Sequence, residues 1–179
     1  MNPCPCGYYG HPSGRCNCTE QSVRAYRKRI SGPMLDRIDI QIELPSISYD
    51  ELSAKEDPAT LERSADVRKR VCEARAFAKE RMKAEDEAHG YEHSPAEKPL
   101  HCNAQLDPAS IRRYCEMTED AGALLRAAFD TLGLSARGHD RILRVARTIA
   151  DLDESPVIDA QHIAEAIQLR SLDRKYWGE

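Results

Sequence analysis

Two Cys-x-Cys pairs, Cys4-Pro5-Cys6 and Cys16-Asn17-Cys18, stand nine residues apart near the start of the chain. Four thiols this close in sequence are too tightly spaced for an ordinary disulfide framework. They can, however, all reach one tetrahedral metal ion, and soft thiolate ligands select zinc or iron–sulfur centres. Gly7, Gly10, Pro12 and Gly14 lie between the pairs and supply the residue types a cramped reversal requires. The stretch is therefore expected to fold as a tight hairpin with Cys4, Cys6, Cys16 and Cys18 as structural zinc ligands. Reduced thiols on a glycine-rich loop are the plain alternative, an iron–sulfur cluster a remoter one, and His11 a substitute ligand. Asn2-Pro3 runs straight into this loop, which suggests that something upstream is missing.

A chain of 179 residues holds one ordinary domain or two small ones. Charged residues make up 31% and aromatics only 6%, a balance that suits a helix-rich protein with solvated faces. The formal charge of −4 argues against wholesale electrostatic capture of nucleic acid, which shows as a basic domain. No apolar run approaches the roughly 18 residues needed to span a bilayer, so no membrane partner is expected. Cys72, Cys102 and Cys115 bring the thiols to seven, an odd number that fits a reducing cytoplasm.

Beyond the hairpin, Thr19 to Ile30 reads as a helix carrying Arg24, Arg27, Lys28 and Arg29, ended near Ser31-Gly32. Pro33 starts a short turn. Ile38-Asp39-Ile40-Gln41-Ile42-Glu43-Leu44 alternates apolar and polar residues until Pro45 and predicts one clear strand. A lone strand needs ladder partners, so this one is expected at an exposed edge or paired with another chain. From about Thr60 to Glu87 the pattern predicts a long charged helix with a thin apolar stripe, Leu61, Val67, Val71, Ala74 and Ala78. His89 to Asn103 reads as a connector. Four helices follow: Pro108 to Glu116; one capped by Thr118 and ended at Gly133; one capped by Ser135 with Ile142, Val145, Ala146, Ile149 and Leu152 inward; and one from Asp159 through Arg170, bringing in Ile163, Ala166 and Ile167. The fold class expected is mainly α, with a remnant of an α/β core. Its divisions are 1–45 (core remnant with the metal hairpin), 46–103 (linker and long helix) and 104–179 (helical bundle).

Three blocks carry a resemblance. MNPCPCGYYG with its CNC partner, RISGPMLDRIDIQIELPSISYDELS, and LGLSARGHDRILRVARTIADL followed by IDAQHIAEAIQLRSLDR closely resemble the C-terminal part of magnesium-chelatase-like AAA+ ATPases of the competence-protein ComM type, over residues 1 to 175. The resemblance implies a remnant of the AAA+ core followed by a helical lid, in a protein that binds ATP and Mg2+ and assembles as a ring, typically a hexamer. It implies work on DNA as a branch-migrating helicase in natural transformation. Asn2 would be the sensor-1 residue near the γ-phosphate. Arg37 would be the arginine finger reaching the neighbouring subunit's ATP, and Arg137 the sensor-2 arginine on a lid helix. The long helix would match the insertion that precedes sensor 2.

Arginine suits these roles because it stays charged and offers a planar fork to phosphate oxygens. Read without the resemblance, Arg37 would be a surface ion pair with Asp36 or Asp39, worth little, and Arg137 an ordinary helix residue. Of Arg141, Arg144 and Arg147, one is a further candidate to approach nucleotide, and the sequence does not choose among them. The five histidines from His89 to His162 have no metal spacing. No G-x-x-x-x-G-K-[ST] phosphate loop and no apolar run ending in Asp-Glu is present, so the chain alone is not expected to hydrolyse ATP. Two alternatives stay open: a zinc-knuckle adaptor in which Arg27 and Lys28 contact single-stranded nucleic acid, and the lid part of a metal-chelatase ATPase subunit.

Overall fold

The computed structural model describes residues 2–53, 61–92 and 99–170. They divide into two compact units, one formed by the first 55 residues with the segment from Leu169, the other by Glu56–Gln168.

In the first unit the cysteine loop leads into helix α1 (Glu20–Arg27), the short α2 (Gly32–Leu35), an extended segment, and α3 (Tyr49–Ser53). Helix α1 begins where Thr19 accepts a hydrogen bond from the Ser22 N–H at 3.2 Å, satisfying one of the orphan donors of a helix start. Its buried face is Val23 alone, and with Leu35 and Cys4 it makes the buried apolar part of this unit among the described residues. Arg170 is buried here too. Its guanidinium meets the Asp36 carboxylate at 3.3 Å and donates to the Ile38 carbonyl at 3.5 Å.

The predicted strand 38–44 is not formed. The segment carries no strand among the described residues, although the Gln41 N–H reaches the Leu169 carbonyl at 2.7 Å. Ile38, Ile40, Ile42 and Leu44 are increasingly exposed, from 38% to 82%. Period two specifies a strand only where a neighbour supplies the ladder. Among the described residues none does, and the apolar face that would lie on a core has none to lie on.

The second unit is a helical bundle. Helix α4 (Ser64–His89) is followed by a 3-10 turn (Asn103–Gln105), α5 (Pro108–Tyr114), α6 (Glu119–Leu132), α7 (Ala136–Leu152) and α8 (Ala160–Gln168). Helix α7 is the central element, packed by α8, α4, α5 and the 3-10 turn, while α6 packs on α8. The core gathers Leu106, Ile111, Tyr114, Ala121, Leu125, Ile142, Leu143, Ala146, Ala150, Ile158, Ile163 and Ala166. Val145, Ile149 and Ile167 pack at its margin as expected, but Leu152 points outward, 41% exposed at the last turn of α7. The expected connector from His89 to Asn103 lies partly outside the described residues.

Caps set the helix ends. Thr118 accepts from Ala121 N–H at 3.3 Å and Ser135 from Gly138 N–H at 3.0 Å. Gly133 closes α6 in the left-handed region, φ 52°, where the Leu134 N–H reaches back to the Phe129 carbonyl. Asp159 precedes α8, and its backbone carbonyl accepts from the His162 N–H at 3.1 Å. Its N–H donates to Nδ1 of the buried His162 at 2.9 Å, so the ring takes the part a glutamate plays in a capping box. With Nδ1 accepting, the proton sits on Nε2, 3.2 Å from the Asp153 carboxylate. Replacing Thr118 or Ser135 with alanine is expected to lower the stability of the bundle by about 1 kcal/mol each, read as a fall in the thermal midpoint of helix melting.

Only the C-terminal half of α4 docks. None of its residues is fully buried; Leu61, just before it, and Val67 and Val71 in its first turns are exposed, while Ala78, Arg81, Met82 and Asp86 lie half-buried. The anchor is polar. Arg81 Nε meets the Asp151 carboxylate at 3.0 Å and its Nη1 donates to the Tyr114 carbonyl at 3.0 Å. The same carboxylate takes Arg147 Nε at 3.1 Å and Asn103 Nδ2 at 2.7 Å. Arg147 is fully buried and also donates to the carbonyls of Pro156, at 2.9 Å, and Ser155. Burial, and then the Arg81 charge, pull the Arg147 guanidinium below its ordinary value. Burial likewise pushes the adjacent Cys115 thiol up to about 11. Among the described residues no helix is long and apolar enough to cross a membrane.

Candidate functional site

The cysteine loop is built from three consecutive turns. Gly7 N–H reaches the Cys4 carbonyl, His11 N–H the Tyr8 carbonyl and Gly14 N–H the His11 carbonyl, each at 3.1 Å. Gly7 sits at φ 83°, and a Cβ there would come within 3.2 Å of the Asn2 side-chain amide. Glycine is therefore needed for both the backbone angle and the close approach. Beyond Gly14 the chain is extended through Cys16 and Cys18 and enters α1 at its Thr19 cap.

The turns bring all four thiols together. Every Sγ of Cys4, Cys6, Cys16 and Cys18 lies within 4.8 Å of the others. Cys4 and Cys6 are 3.3 Å apart, Cys4 and Cys16 3.8 Å, Cys6 and Cys16 3.6 Å. A tetrahedron with metal–sulfur bonds of about 2.3 Å has edges of about 3.8 Å, so the thiol spacing fits one four-coordinate ion. Cys4 is fully buried, whereas Cys6 is exposed and Cys16 and Cys18 are half-buried.

The electrostatics point the same way. Burial alone would push the Cys4 thiol up. Hydrogen bonds from Cys6 and Cys16 and from the backbone at Tyr9 and Cys6 outweigh that and bring it down to about 6. A hydrogen bond from the Cys18 backbone favours the Cys16 thiolate, but burial and the neighbouring Cys6 and Cys4 push Cys16 up to about 11. Cys18 is raised as well; there a lowering backbone bond from Cys6 is outweighed by the Cys6 thiol and burial. Cys4 ionises readily and its charge then holds protons on Cys16 and Cys18, as expected for like charges at contact distance. A bound dication removes that conflict and lets all four ionise. The residues present can therefore hold a metal ion.

The other residues singled out from the sequence are dispersed. Asn2 is exposed beside the cysteine loop. Arg37 is exposed just past α2, and its Nη1 donates to the Pro33 carbonyl at 2.7 Å. Arg137 is exposed on the first turn of α7, two residues past the Ser135 cap, and its side chain makes no hydrogen bond or ion pair with a described residue. Arg144 is tied to the Leu106 carbonyl at 2.9 Å and Arg147 is sealed into the Asp151 network, so both serve the fold. Sequence reasoning missed that network, as well as the stacking of Arg27 on Tyr9, 4.7 Å from guanidinium to ring centroid. The i, i+4 spacing of Arg147 and Asp151 on an apolar helix face was the available signal for the first.

Comparison with known proteins supplies the frame for these parts. Residues 61–170 match the family model for the C-terminal region of magnesium chelatase, subunit ChlI, and residues 1–52 match the model for magnesium chelatase, subunit ChlI. The protein YifB of Escherichia coli K12 is 38% identical over 174 residues, which is 97% of this chain and 30% of that protein. The competence protein ComM of Haemophilus influenzae is 37% identical over 175 residues, with the same shares. A Mycobacterium tuberculosis protein, Rv2897c, is 34% identical over 171 residues, or 94% of this chain. The chain thus spans about 30% of the length of the curated relatives it matches. On the match to the C-terminal model and the extent of these identities, the chain belongs to the magnesium-chelatase-like family of AAA+ ATPases, in the company of its ComM-type members, and carries the C-terminal part of that architecture.

Proposed function

We propose that the chain forms the sensor, arginine-finger and lid portion of a ComM-like ATPase motor that remodels DNA, with the four cysteines holding a structural zinc. The observation that carries this reading is the pair of family matches, one on the cysteine-loop unit and one on the helical bundle, alongside a ComM relative at 37% identity. Under it, residues 1–45 are the end of the AAA+ core, 46–103 the insertion and 104–179 the lid. The working protein is a cytoplasmic ring, a hexamer, loaded with ATP and Mg2+.

Each residue then has a task set by its own chemistry. Asn2 offers a neutral amide next to the cysteine loop, suited to orienting water rather than to taking a proton. Arg37 projects from a short rigid turn, where a permanent cation can reach a phosphate on an adjacent subunit. Arg137 stands at the start of α7, and α7 is locked to the rest of the bundle. A phosphate held there would pull the whole bundle as one body. The metal, when bound, supplies rigidity and charge neutralisation to the loop behind Asn2. It takes no part in the chemical step.

Because the sequence has no phosphate loop, this chain by itself is expected to show no ATP turnover. Joined to the upstream part of a curated relative, it should turn over ATP. Arg37→Ala should then lower the rate by about 10³-fold or more, the range in which fingers act in other phosphoryl transferases. Arg137→Ala should lower it less and weaken nucleotide binding as well. Retention of turnover by the Arg37→Ala protein would remove the finger from this account.

A further inference from the structure

The chain carries a formal charge of −4, yet residues 2–31 hold Arg15, Arg24, Arg27, Lys28 and Arg29 against Glu20 alone. A divalent ion with four thiolates adds two negative charges to this stretch and still leaves it positive. The cations are not spread evenly. Arg24 precedes Arg27 by three residues and Lys28 by four, so the three are neighbours on the surface of α1. Arg24 and Lys28 border a shallow, open depression on the exposed side of α1 with Glu20, Gln21 and Ala25. The ion pair between Arg24 and Glu20, 3.1 Å long, is exposed on both sides, so it holds the guanidinium weakly.

Aromatic rings continue this basic strip. Tyr9 lies under the Arg27 guanidinium, whose Nε also donates to the Pro3 carbonyl at 3.1 Å. That contact ties the cysteine loop to α1 and fixes the ring beside the cations. Tyr8 and Tyr9 are nevertheless 39% and 45% exposed. On the far side, Arg29 stacks over Tyr26 at 5.7 Å. Cations beside part-exposed aromatic rings are the combination that holds unpaired bases and their phosphates together. A duplex keeps its bases stacked inside and has no use for the tyrosines. An acidic polypeptide would use the cations alone.

We propose that the surface formed by Tyr8, Tyr9, Arg24, Lys28 and Arg29 binds single-stranded nucleic acid, with bases on the tyrosines and phosphates on the exposed basic side chains, while Arg27 holds Tyr9 in place. Helix α1 has eight residues and is about 12 Å long, enough for two or three nucleotides. The inference rests on the metal-held loop of the proposed function and not on its ATP chemistry.

The test is fluorescence anisotropy of the zinc-loaded full chain with labelled dT20, after its metal content has been measured. Binding is expected at 50 mM salt, weakening steeply by 200 mM. Tyr8→Ala should weaken it about tenfold. The triple change Arg24→Gln, Lys28→Gln and Arg29→Gln, all at exposed positions that leave the cysteines untouched, should flatten the logarithmic salt slope by about 2. Lys69→Gln with Lys83→Gln, on α4, should change neither. Chelation of the metal should abolish binding. The proposal is overturned if the metal-loaded chain does not bind dT20, if the α4 pair weakens binding as much as the α1 triple, or if a duplex or polyglutamate competes as well as a single strand. Failure here with metal in place leaves Arg37-dependent turnover untouched, so the two readings fail separately.

Discussion

Cys4→Ser is expected to lower the metal affinity of the chain by at least about 100-fold and to release residues 2–31 from their fold. Even outer partners of metal ligands are worth about 10–100-fold in affinity, and Cys4 is itself a ligand candidate and the most buried of the four. Almost nothing else holds this unit. Its buried apolar residues among those described are Cys4, Val23 and Leu35, far short of a core that stabilises a domain alone. Structural zinc contributes an apparent free energy of roughly 10–16 kcal/mol in zinc-finger peptides, so removing the ion should dominate any other change in this region. Chelation followed by limited proteolysis should open cleavage at Arg15, Arg24 and Arg27 while leaving the helical bundle intact. Equal protease resistance with and without metal would show that the thiols are a reduced cluster with no structural ion.

The second large effect belongs to the bundle. Asp151→Ala should destabilise it by about 3–5 kcal/mol, because removing one partner of a buried charge cluster leaves the others uncompensated. Here two guanidinium groups lose their shared carboxylate, and the Asn103 amide loses its acceptor at 2.7 Å. For a unit of this size the thermal midpoint should fall by more than about 10 °C. Thr148→Ala is the contrast. It removes an exposed hydroxyl that bonds Asn103 at 3.1 Å, and about 1 kcal/mol or less is expected. A small effect of Asp151→Ala in the same melt would mean that α4 is held by its apolar contacts. In that case Met82 and Ala78, not the ion network, position the long helix.

These two effects also mark where the sequence was legible. The helices from Thr118 onward were readable because caps, apolar periodicity and a terminating glycine agreed. Thr118, Gly133 and Ser135 each do in the structure what their chemistry predicts. The cysteine loop was readable because thiol spacing and glycines leave few other geometries. The strand was misread for a physical reason. Ile38 to Leu44 has the right alternation, but a strand is a pairwise object and no paired strand forms along it among the described residues. The Asp151 network was missed because arginine and aspartate on a helix read as solvated unless their i, i+4 spacing is set against the apolar face around them. Arg37 and Arg137 lie in different units, and their roles rest on the family resemblance and not on proximity.

The central claim, that this chain supplies a trans-acting finger to an ATPase ring, is tested most directly by subunit mixing. Both subunits are this chain joined to the upstream part of a curated relative, and one of them carries Arg37→Ala. The other carries an inactivated phosphate loop in the relative's part. Each alone should be nearly inert. Mixed one to one they should recover measurable ATP turnover, because some interfaces then pair an intact phosphate loop with an intact Arg37 from the neighbour. Recovery is the predicted result. A mixture no more active than its parents, or an Arg37→Ala subunit active alone, would contradict the account.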